Sequence, residues 1–120
     1  MDLFVRQRFS PPVDKVVVAA DWRRRGYSCD WFSDPPGREW RDFVHGSNEL
    51  VTVVEGRLEL TVAGSTYRVE PGDEVFIPRG AVHSVKADRL SAVTGSAGLG
   101  VGRGSGRSSF CLLLGCSGRA

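Results

Sequence analysis

Residues 49–86 read ELVTVVEGRLELTVAGSTYRVEPGDEVFIPRGAVHSVK. Val51 to Val54 favour extended chain, because β-branched side chains fit a pleated, half-buried surface. Glu55-Gly56 turns the chain. Leu58, Leu60 and Val62 then alternate with Arg57, Glu59 and Thr61, the period of a strand with one buried face. Gly64-Ser65 turns again, and Tyr67 and Val69 alternate with Arg68 and Glu70. Pro71-Gly72-Asp73 and Pro78-Arg79-Gly80 bracket a strand at Val75–Ile77, and Val82–Val85 supplies the next. Short strands at such regular spacing predict an all-β, antiparallel sandwich or barrel.

Outward from this stretch the pattern weakens. Residues 1–36 read as N-terminal strands: Val16–Ala20 as a buried or edge strand, Tyr27–Phe32 as a second. Asp34-Pro35-Pro36-Gly37 ends that segment, since two prolines and a glycine stop ladder pairing. No helical period of useful length is apparent. After Asp88 the acidic residues cease, and Gly95–Gly106 holds six glycines. Gly-rich chain costs more backbone entropy to order. Residues 87–120 therefore read as a divergent or disordered tail without two good strands, Phe110–Leu114 being one candidate.

A chain of 120 residues fits one domain with one core. The net charge of +2 is too small to call for a polyanionic partner. Arg23-Arg24-Arg25 reads as a solvated surface, and no nucleic-acid-reading or phosphate-loop motif accompanies it. The three cysteines, Cys29, Cys111 and Cys116, are odd in number and lack CxxC spacing. They are expected to be unpaired thiols in a reducing compartment. No signal peptide and no run near the ~20 apolar residues of a membrane span is apparent, so the expected location is the cytoplasm. Trp22, Trp31 and Trp40 read as core or interface residues.

The chemistry gathers on three residues. His45 and Glu49 lie four apart, so an extended chain puts them on one face with Phe43, Val51 and Val53, provided Gly46-Ser47-Asn48 does not bend it. His83 follows the Pro78-Arg79-Gly80 turn and can return beside them on a neighbouring strand. Two imidazoles and a carboxylate suit iron, zinc, manganese or nickel, with positions left open for substrate. The structural alternative is that both histidines hydrogen-bond internally while Glu49 points to water.

These residues sit in a pattern that resembles the cupin family. The first cupin motif is glycine, five residues, HxH, three or four residues, glutamate, six residues and glycine. Here it reads Gly37, five residues, Phe43-Val44-His45, three residues, Glu49, six residues and Gly56. The second reads Gly72, five residues, Pro78-Arg79-Gly80, two residues and His83, with Ala87 where the family has asparagine. The resemblance covers residues 37–86 and implies a β-barrel of the double-stranded β-helix (jelly-roll) type. It implies a divalent-metal site at His45, Glu49 and His83, with Phe43 replacing a fourth ligand and unable to donate a lone pair. Phe43 then narrows the pocket and makes it more apolar, and Trp40 is a second candidate for its lining. Three readings follow: a small-molecule-binding protein; a metal-dependent dioxygenase, isomerase or epimerase; or a non-catalytic dimeric regulatory module. The resemblance also makes a homodimer plausible. Neither nucleic acid nor membrane is an expected partner.

Overall fold

The computed structural model describes residues 3–100. Nine strands and one helix follow in the order β1 (Phe4–Val5), α1 (Lys15–Arg24), β2 (Asp30–Asp34), β3 (Glu39–Phe43), β4 (Glu49–Glu55), β5 (Leu58–Val62), β6 (Ser65–Val69), β7 (Glu74–Ile77), β8 (His83–Ala87) and β9 (Val93–Leu99). They form a five-stranded sheet, β1-β7-β4-β9-β2, facing a four-stranded sheet, β3-β8-β5-β6. All strand pairs are antiparallel. The expected all-β jelly roll is present, but as two sheets rather than one closed barrel.

The alternation read in residues 58–69 faces inward as expected. Leu58, Leu60, Val62 and Val69 are buried against Val51, Val53, Val75 and Val85 in one core. At Gly72 the chain turns with φ of 93°. Its carbonyl accepts from the amide of Phe9 at 3.0 Å, and a side chain there would collide with that residue's carbonyl oxygen. Only glycine meets both conditions.

Two expectations are corrected. Val16–Ala20 is no strand but the middle of α1. Asp14 caps the helix by accepting from the amide of Val16 at 2.8 Å, which satisfies a donor that the first turn leaves without a partner. Val18 and Trp22, four apart, point the same way and bury themselves with Leu50 on the outer face of the five-stranded sheet. The Trp22 indole N–H donates to Glu74 at 3.0 Å. Arg25, at the end of the helix, donates to both oxygens of that carboxylate, at 3.0 and 2.7 Å.

The second correction lies in residues 87–120. Val93–Leu99, read as part of a tail, is β9, an inner strand paired with both β4 and β2. Val93, Ala97 and Leu99 enter the core. Gly98 lies on the opposite face, where a Cβ would collide with the Ser28 carbonyl and press on the Trp22 ring. Gly95 and Gly98 are therefore packing residues of the sheet. Phe110–Leu114, Cys111 and Cys116 lie outside the described residues. Of the tryptophans read as core or interface residues, Trp22 is fully buried, whereas Trp31 is 45% exposed. No helix among the described residues is long and apolar enough to cross a membrane.

Candidate metal centre

Each sheet brings one candidate ligand, and the chain between them brings the third. Glu49 opens β4 in the five-stranded sheet. His83 opens β8 in the four-stranded sheet. His45 lies in the connection between β3 and β4, where Gly46-Ser47-Asn48 does bend the chain. The three side chains converge, although not through the continuous extended strand that their spacing suggested.

Backbone bonds tie the two motif loops together. The amide of Gly80 donates to the His45 carbonyl at 3.0 Å, and that of Arg79 to the Asn48 side-chain oxygen at 2.8 Å. Asn48 escaped the sequence reading because it resembled an ordinary turn residue.

One donor atom from each of His45, Glu49 and His83 lies within 4.8 Å of the others. Glu49 is 0% exposed, His83 1% and His45 6%. His83 Nε2 stands 3.4 Å from Glu49 Oε1. Their alignment does not make a hydrogen bond: His45 Nε2, His83 Nε2 and both Glu49 oxygens have no partner. Buried polar atoms are ordinarily satisfied, and each failure is costly. Four failures at one spot form a set of lone pairs that a cation would satisfy together.

The second nitrogen of His83 has a defined role. Nδ1 lies 3.3 Å from the Ala81 carbonyl, which can only accept. In this bond Nδ1 carries the proton and Nε2 presents its lone pair toward Glu49. The electrostatics agree. Burial lowers the pKa of His45 to about 4, helped by the neighbouring His83. Burial also lowers that of His83, against the opposing effect of the Ala81 bond. It raises that of Glu49 well above the ordinary 4.5. All three shifts favour the uncharged form, so that without a cation burial disfavours both the imidazolium and the carboxylate states.

Phe43 closes one side. It pairs with His83 across β3 and β8, so the two side chains share a face. Its ring centroid lies 6.2 Å from that of His83 and 6.3 Å from that of His45. Trp40 is three residues away, an odd spacing that a regular strand would put on the opposite face. A register shift between Trp40 and Phe43, with Asp42 at φ of 57°, brings both toward the core. The Trp40 and Phe43 centroids are 6.1 Å apart. The indole N–H of Trp40 reaches the buried Asp34 carboxylate at 3.3 to 3.4 Å, and the Arg38 guanidinium lies 5.0 Å from its ring centroid. Asp34, read only as the start of a turn, thus helps to hold the tryptophan.

Residues 31–93 match the cupin domain family. Among solved structures, the chain is similar to the Cnp3 cupin domain of Schizosaccharomyces pombe, with TM-score 0.58 and 21% identity, over 62% of this chain and 56% of that one. It is similar to the protein TT1209 from Thermus thermophilus, with TM-score 0.57 and 25% identity, over 62% and 72% of the two chains. It is also similar to the DMSP lyase DddQ from Ruegeria pomeroyi, with TM-score 0.60 and 20% identity, over 68% of this chain and 41% of the lyase. The match thus spans little more than half of the yeast domain and less than half of the lyase. Among curated proteins nothing matches.

Proposed function

This chain belongs to the cupin-domain family, and from that premise we propose that it binds a small molecule beside a divalent metal held by His45, Glu49 and His83. The observation that carries the proposal is the convergence of four buried, unpartnered donor atoms between the two sheets. Imidazole and carboxylate donors suit iron, zinc, manganese or nickel. A bound ion would act as a Lewis acid toward a ligand oxygen. Phe43 and Trp40 supply an apolar wall that orients a flat or branched organic ligand and excludes water from that side. The Ala81 carbonyl keeps His83 in the tautomer that presents Nε2 to the centre.

A metal-dependent enzyme of dioxygenase, isomerase or epimerase type is the second reading. It is favoured by the ligand count: three protein donors leave coordination positions for substrate, and the fold is shared with a lyase. The fold alone does not select the reaction.

The test is the metal content of protein purified without a histidine tag. About one ion per chain, lost in the Glu49→Ala/His83→Ala double variant, is the expected result. A folded parent that stays metal-free after incubation with each of the four ions would overturn the proposal.

A further inference from the structure

The outer side of the five-stranded sheet carries a second concavity, unrelated to the centre between the sheets. It is a cleft of about 340 Å³ between α1 and the edge strand β2, within the size range of small-molecule sites. Ala19, Ala20 and Ser96 are small residues in its lining. Val16 and Trp31 add apolar surface, and both are exposed, at 69% and 45%.

Two cations border this apolar surface. Lys15 Nζ lies 4.5 Å from the centroid of the Trp31 ring, and Arg23 lines the cleft two turns along the helix. Among the described residues neither has a carboxylate within ion-pair distance, whereas Arg24 and Arg25 both pair with Asp21. Asp30 is the one acidic residue in the lining, so its ionised side chains carry a net positive charge. A cation on an indole face keeps its charge available to an anion while the ring stays open to stacking.

We propose that this cleft binds a small amphipathic anion, an aromatic or branched-chain carboxylate or sulfonate. Its apolar body would lie against Val16 and Trp31, and its charge between Lys15 and Arg23. A second copy of the chain is the poorer occupant: a symmetric contact here would bring two pairs of like charges together.

The test uses 8-anilinonaphthalene-1-sulfonate and its uncharged relative N-phenyl-1-naphthylamine, titrated against the full chain by fluorescence. One sulfonate site per chain is expected. Lys15→Glu/Arg23→Glu should weaken the sulfonate about tenfold and the uncharged probe much less. Trp31→Ala should weaken both, and Phe43→Ala, which alters the interior, neither. All the substituted cleft residues are exposed, so the variants should melt like the parent. The proposal fails if the sulfonate does not bind, if charge reversal leaves its affinity unchanged, or if Phe43→Ala abolishes binding. It also fails if sedimentation shows a dimer that Trp31→Ala dissociates.

Discussion

Glu49 is a fully buried carboxyl group without a hydrogen bond to the protein and without a basic partner among the described residues beyond a misaligned histidine. Burial favours its protonated form, and Glu49→Gln puts a permanently neutral group of similar shape in its place. With a chelator present, this variant should melt at or above the temperature of the parent, since no paired charge is lost. Its metal content should fall from about one ion per chain to near zero by elemental analysis, because the amide lacks the anionic donor. Phe43→His tests the other departure. The Phe43 ring is 6.2 Å from His83 and 6.3 Å from His45, centroid to centroid, close enough for an imidazole to join the set. Metal affinity by competition with a chromogenic chelator should rise about tenfold or more. An unchanged affinity would mean that this position faces away from the centre.

At the scale of elements, strands with strict alternation were legible and those made by context were not. Leu58–Val62 announces itself because one face is core and the other solvent. β9 has both faces covered, by the core on one side and by α1 and Ser28 on the other, so its small residues mimic a linker. Val16–Ala20 has strand-forming composition. Yet it packs on the sheet as a helix, through Val18 and the later Trp22, with Asp14 supplying the cap. Tertiary contact overrode propensity there. The candidate metal trio was legible because cupin spacing is written in turn glycines and a proline. The parity argument assumed a continuous strand, whereas His45 lies in the connection just before the bend at Gly46-Ser47. Gly98→Ala tests the reading of β9. Its Cβ would meet the Ser28 carbonyl, in a segment where Ser28 and Leu99 are joined by a backbone bond of 2.9 Å. The variant should lose about 2 kcal/mol or more in urea unfolding. Gly46→Ala is the control: a Cβ there meets nothing within 4 Å, and it should change stability by no more than about 0.5 kcal/mol.

For the whole molecule, the centre is a junction between sheets. Glu49 belongs to one, His83 to the other, and His45 to the chain that crosses between them. A cation held by all three would tie the two sheets together and stabilise the fold by mass action. At a concentration of one hundred times its Kd, the gain is about 2.7 kcal/mol, or roughly ten degrees in Tm for a domain of this size. The gain must depend on pH with a definite sign. Because the Glu49 carboxyl is raised well above 4.5, binding expels a proton at any pH below its folded value, and apparent affinity rises with pH until the carboxyl ionises unaided. Below about 4, His45 takes up a proton as well and the affinity falls more steeply. The metal-free fold behaves differently. Its raised Glu49 favours the native state less as pH climbs from 4.5 through the folded value. Its depressed His45 removes stability as pH falls from 6.5 toward 4. The difference in Tm with and without added metal, followed upward from pH 4.5, should therefore widen as pH rises toward the folded value of the Glu49 carboxyl. A difference that is constant or shrinks over that range would mean that no proton leaves on binding, and that the carboxyl between the sheets is not the anchoring ligand.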